Sequence, residues 1–275
     1  MNLQQGFQNA WKVVRKNKVL FISLFIIQLI YFIVAASVLL HYQVKILENV
    51  KGVTTPLGEA NYDENALQAG NPFLPNSGLV YSEYLSLKKN IARLGWSEFF
   101  LFIFFNGMLW IGSHHLLRKQ TKQTIKDLIN QFGRFTISSG IFVLSFALIS
   151  TFLVKTFYWT EISQGLFTKS GDALGVLFLF LYYFLSCSFA VLPGNWKDFG
   201  KRFLVVAVKK IFRNAGIFIL FTTVYISLLF VIFYLTKSSQ LFIYTLFMVL
   251  FIMLLMTYLR IVWIIMLQNN EKNNN

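Results

Sequence analysis

Residues 19–44 read VLFISLFIIQLIYFIVAASVLLHYQV, 26 positions in a row without Asp, Glu, Lys or Arg. A helix rises about 1.5 Å per residue, so about 20 apolar residues cross a hydrocarbon core about 30 Å thick. This stretch is long enough to span, and it has counterparts along the chain. The windows 99–117, 135–154, 173–196, 214–236 and 238–259 also lack those four residue types, and each is at least 19 residues long. The expected fold class is therefore an all-α membrane protein. Its transmembrane helices are placed over about 19–42, 97–117, 135–155, 173–193, 214–236 and 239–260, in a single polytopic domain of 1–275.

The composition around these windows agrees. Of 275 residues, 56% are hydrophobic, 18% aromatic and 13% charged, whereas soluble domains carry about a quarter charged residues. A water-soluble fold cannot hide that much apolar surface. The net charge is +14. Its basic residues stand in short runs beside apolar windows and not on a soluble basic domain, which points to anionic headgroups of membrane lipids and away from nucleic acid. Sorted by alternate connections, 17 Lys/Arg and 3 Asp/Glu fall on one side and 8 of each on the other. The positive-inside rule makes the basic side cytoplasmic, with both termini on it and the protein in the cell membrane. The first apolar run exceeds the about 7–15 residues of a signal-peptide core and is expected to stay as an anchor. The single cysteine, Cys187, lies in the fourth window and has no partner for a disulfide.

The basic side has internal order. Residues 3–18 set Leu3, Phe7, Ala10, Trp11 and Val14 on one helical face and Lys12, Arg15 and Lys16 on another, the pattern of a helix lying in the membrane interface. Residues 121–134 repeat it with Ile125, Leu128, Ile129 and Phe132 beside Lys122 and Lys126. Residues 196–213 repeat it again, with Trp196, Phe199, Phe203 and Ala207 against Lys201, Arg202, Lys209, Lys210 and Arg213. Each precedes an outward-going span, and Lys16-Asn17 resembles Arg213-Asn214 in position and context. The chain reads as three units, each a cytoplasmic elbow helix followed by a transmembrane hairpin. Lys12, Arg15 and Lys16 of the first elbow and Lys201, Arg202, Lys209 and Lys210 of the third are the candidate lipid-headgroup ligands.

On the opposite side, residues 45–96 form the longest connection, and Pro56, Pro72 and Pro75 with their neighbouring Gly and Asn argue for an irregular segment there. Helical spacing returns over 79–94, while the polar tail 268–275 is expected to be unstructured. Inside the spans, Gln28 and Asn106 are the candidate polar sites. Asn106-Gly107 pairs an amide with a glycine, which suits close helix packing or contact with a solute. Ser186, Ala190 and Gly194, four apart, form a small-residue stripe. Arg260 falls one residue beyond the last window and is expected at the inner boundary, reaching headgroups. His114 and His115 point about 100° apart on a helix and are expected as interfacial polar residues, not as a metal pair.

The motifs Phe7-x-x-Ala10-Trp11, Lys16-Asn17 and the segment 199–214 resemble those of a broad prokaryotic group. This group is the uncharacterised six-helix membrane proteins related to the membrane domain attached to glycerophosphodiester phosphodiesterases. The resemblance implies a membrane scaffold or accessory role. It implies no phosphodiesterase activity, since no soluble catalytic domain accompanies the spans. No Gly-x-Ser-x-Gly, His-Glu-x-x-His, phosphate loop or paired intramembrane carboxylate is present in the sequence. The expected function is that of a non-enzymatic, lipid-engaging integral membrane protein without a cofactor, with room for a protein partner. The alternative is a transporter or channel for a small neutral or lipidic solute, to be distinguished by a cavity between the spans.

Overall fold

The computed structural model of the chain describes residues 3–59, 77–117, 124–164, 168–236 and 242–272, and every element among them is helical. Helix α1 is Leu3–Lys16, α2 Lys18–Glu59 and α3 Ser77–Leu101. A π-helical segment, Phe102–Asn106, joins α3 to α4, Gly107–Leu117. Then come α5 (Ile125–Gln164), α6 (Thr168–Ala190), α7 (Trp196–Leu204), a second π segment (Val205–Lys209), α8 (Ile211–Thr236) and α9 (Phe242–Lys272).

Among the described residues, six stretches are long and apolar enough to cross a membrane: Lys18–Gly58, Ser77–Leu117, Ile125–Phe152, Ala173–Ala190, Ile211–Tyr234 and Ile243–Asn269. Much of their apolar surface faces outward, with Val19 81% and Phe212 94% exposed. Apolar surface on that scale is stable against lipid and not against water.

The chain forms two compact units, one of Met1–Gln28 with Phe105–Asn275 and the other of Leu29–Phe104. In the second unit, α2 and α3 continue well past the expected span ends. Helix α2 has 42 residues and so runs about 63 Å, roughly twice the hydrocarbon thickness. Within the 45–96 connection, the segment expected to be irregular is helical as far as Glu59, with Pro56 inside α2, while the helical spacing expected over 79–94 lies within α3. Residues 60–76, with Asp63 and Glu64, lie outside the described residues. Side-chain packing explains the extension: Asn49 Nδ2 donates to Glu83 Oε2 at 2.6 Å and Asn90 Nδ2 to Asn49 Oδ1 at 2.8 Å. Gly52 lets the helices close, since a Cβ there would stand 2.8 Å from Glu83 Cγ.

The first unit is built around the second half of α9. Ile261 to Leu267 are seven consecutive buried apolar residues, and a helix that is apolar all round is a central one. Around it pack α1, α4, α6, α8 and the Val205–Lys209 segment. Rings set the contacts: Phe218 and Phe221 lie 6.2 Å from Trp263, and Phe189 lies 4.2 Å from Phe135 and 5.3 Å from Trp110. Close approaches occur at Gly112, where a Cβ would be 2.6 Å from Leu24 Cδ2, and at Gly107, where it would be 2.7 Å from Phe132 Cε2.

Four more sequence expectations are corrected here. Residues 125–134 are not a separate elbow but the start of α5, which continues to Gln164; residues 121–123 lie outside the described residues. The Thr124 hydroxyl and amide both bond Asp127 Oδ2, at 2.7 and 3.3 Å, which starts the helix. Nothing breaks α5 afterwards, because Gly133 is accommodated inside it. Helix α6 ends at Ala190, so Gly194 leaves the small-residue stripe; at φ 116° it turns the chain, a conformation that favours glycine. The helix of the last window does not stop at 260, and the tail is helical as far as Lys272.

Candidate functional site

Both short amphipathic helices carry the cations singled out in the sequence. On α1, Gly6, Ala10 and Val14 are buried, Phe7 is half-buried, and Lys12, Arg15 and Lys16 are exposed. The buried row is four residues apart and packs against α9, where Tyr258 donates its hydroxyl to the Phe7 carbonyl at 2.8 Å. Leu3 and Trp11, expected on the same face, stay exposed. On the Trp196–Lys209 stretch, Lys201 and Lys209 are exposed. Arg202 is engaged differently: its Nη1 donates to the Pro193 carbonyl, fastening the turn after α6. Arg134, buried in α5, does the same for the Gly194 carbonyl at 2.5 Å and stands over the Trp196 ring. Lys210 occupies the turn before α8 and is half-buried.

Asn17 and Asn214, paired in the sequence, have matching tasks. Asn17 Nδ2 donates to Val13 O at 3.3 Å and Leu116 O at 3.5 Å, and Asn214 Nδ2 donates to Val206 O at 2.7 Å. Each amide sits where one helix gives way to the next and donates to a carbonyl near a helix end, Leu116 O for Asn17 and Val206 O for Asn214.

His114 and His115 differ. His115 is exposed, whereas His114 is buried between α4, α6 and α9. Its Nε2 lies 2.8 Å from the Phe189 carbonyl, so Nε2 carries the proton and donates. Nδ1 then accepts from Gln268 Nε2 at 3.5 Å. No group of three His, Cys, Asp or Glu able to hold a metal occurs among the described residues.

The strongest concentration of unusual chemistry surrounds Arg260. Two buried groups that the sequence placed apart, Gln28 of α2 and Thr257 of α9, meet there. Gln28 Oε1 accepts from Thr257 Oγ1 at 3.1 Å and from Arg260 Nη2 at 3.2 Å. The guanidinium stands 5.6 Å from the centre of the Trp110 ring. Its Nη1 is buried and has no hydrogen-bond partner among the described residues. Arg260 therefore does not reach outward to headgroups as expected. Seven buried apolar residues follow it, and Asn269, the end of the span, is nine positions on, about 14 Å along the helix. In the sequence the apolar run resumes directly after Arg260, over Ile261–Leu267, and that resumption is the local signal of a helix continuing past the charge.

Arg260 lines a cavity of about 490 Å³ between α4, α6, α8 and α9. Trp110, Ser186, Phe221, Ile252 and Trp263 form its buried floor, and Phe178, Leu229 and Met256 form an exposed apolar rim. Asn106, Thr222 and Tyr225 add polar atoms to the wall. Asn106 thus lines a cavity, and Gly107 beside it makes the close packing expected of the pair, against Phe132 and Phe135. The volume lies within the range of about 300–1,000 Å³ usual for small-molecule sites. No protein-family model, curated protein or solved structure matches the chain.

Proposed function

We propose that this is a non-enzymatic multi-pass membrane protein that engages anionic lipid on its basic side through α1 and the Trp196–Lys209 stretch. The observation that carries the reading is the exposure of Lys12, Arg15, Lys16, Lys201 and Lys209 on two amphipathic segments, each preceding a membrane-length helix. Cations so placed gain about 1 kcal/mol each near an anionic membrane surface. The reading rests on these five exposed cations; Arg202 is half-buried in α7 with its guanidinium on the Pro193 carbonyl, and Lys210 is half-buried in the turn before α8. The Asn17 and Asn214 caps support two equivalent elbow-and-hairpin units, with both termini cytoplasmic. The family resemblance to membrane domains attached to glycerophosphodiester phosphodiesterases belongs to the same reading, with a scaffold or accessory role.

Lipid carry-over through purification tests it. Protein extracted from mixed phosphatidylglycerol and phosphatidylcholine bilayers should retain phosphatidylglycerol preferentially, and replacing the five exposed cations by Gln should erase that preference. An unchanged lipid ratio in the five-residue variant would sink the proposal. The cavity favours a second reading, passage of a lipidic solute between the helices, for which its apolar rim is the supporting observation.

A further inference from the structure

The cavity beside Arg260 is a separate matter from the surface cations. A guanidinium inside a membrane span is costly and is kept where it has a task. Arg260 offers five N–H donors, and its hydrogen-bond partner among the described residues is neutral, the Gln28 amide oxygen. The positive charge is therefore fixed in place by Gln28 and Trp110 but not neutralised by either.

The walls state what else the occupant must satisfy. From Ile252 to Trp263 the cavity follows twelve residues of α9, about 16 Å. Over that length its surface is mainly aromatic and aliphatic, with Arg260 toward the Trp263 end and Leu229 and Phe178 at the rim. The rim residues Phe178, Leu229 and Met256 are exposed and apolar, so the way in is from the lipid phase. A hydrophilic anion has no such path, and an uncharged hydrocarbon leaves the guanidinium unpaired. We propose that the cavity binds a long-chain amphiphile by its anionic head, Arg260 pairing with the carboxylate or phosphate and the aromatic wall covering the chain. A guanidinium meets either head through paired N–H···O bonds. The hydroxyls of Tyr225 and Thr222 and the Asn106 amide line the same space and supply further polar contacts to the head.

Native mass spectrometry of the full chain in neutral detergent tests this with four probes of similar chain length: stearate, oleoyl lysophosphatidate, stearyl alcohol and stearylamine. One anion at least binds saturably at one per chain, with the alcohol and the amine weaker by about tenfold or more, the scale of one charge-assisted hydrogen bond. Whichever anion binds more tightly names the head as carboxylate or phosphate. Arg260→Gln lowers that affinity by about tenfold or more, and Arg260→Lys restores part of it. Arg260→Gln also removes the tie to Gln28, so Met256→Trp is the companion: it fills the cavity from its exposed side, keeps the Arg260–Gln28 bond and abolishes binding. Equal binding of the alcohol and both anions, or wild-type affinity in both variants, overturns the assignment. The surface five-residue variant keeps one-per-chain binding; if it loses it, the anion sits at the surface and the cavity assignment is wrong. Failure of the surface reading leaves this result untouched.

Discussion

Arg260 Nη2 donates to Gln28 Oε1 at 3.2 Å, joining the middle of α9 to the early turns of α2 inside the bundle. The same oxygen takes the Thr257 hydroxyl at 3.1 Å. One neutral acceptor therefore positions a cation and a hydroxyl, and the three residues act as a unit.

Gln28→Leu leaves the Arg260 guanidinium without its acceptor, while the Thr257 hydroxyl keeps the Met253 carbonyl at 3.1 Å. A loss of about 2–3 kcal/mol is expected, because hydrogen bonds to charged groups exceed neutral ones. Thermal unfolding in detergent checks it, and an unchanged midpoint would show that Gln28 does not hold Arg260. Gln28→Glu keeps the shape and supplies a carboxylate. It should preserve the midpoint while reducing anion binding at the cavity, since the guanidinium is then neutralised.

Replacing His114 by Phe removes the donor to the Phe189 carbonyl and the acceptor for Gln268. The expected cost is about 1–3 kcal/mol, whereas His115→Phe, on the exposed side, should stay within about 0.5 kcal/mol. Similar midpoints for the two variants would contradict the assignment of His114 as the structural member.

At Gly194 the backbone has φ 116°, and an added Cβ would lie 3.2 Å from Arg202 Nη1. Gly194→Ala should cost about 1–3 kcal/mol through backbone strain and displacement of that guanidinium. By contrast, Gly200, inside α7 with nothing within 4 Å of an added Cβ, should gain up to about 1 kcal/mol as Ala. A thermal-shift comparison of the two variants decides, and the same sign for both would refute the strain argument.

Sidedness is checked with reporter fusions. A reporter after Ser77 should report the outer side and one after Thr121 the cytoplasmic side. Both on one side would overturn the arrangement of the first two spans.

The windows without charge were legible because the hydrocarbon core acts on length and local composition, and both are properties of contiguous sequence. The cations of α1 were legible for a similar reason, since helical periodicity alone separates Lys12, Arg15 and Lys16 from the apolar face. The face itself was only partly legible. Gly6, Ala10 and Val14 make the contact with α9, because small residues allow a close approach that hydrophobicity does not register.

Sequence by itself determined the helical class, the membrane-length segments and the uneven charge. Tertiary structure decided what the buried polar groups do. Whether Arg260 ends a span or lies within one depends on a partner 232 positions away, and whether His114 is interfacial or buried depends on Phe189 and Gln268. Long-range pairing of this kind has no local signature, because the desolvation of a cation or an imidazole is set by whichever helices fold against it.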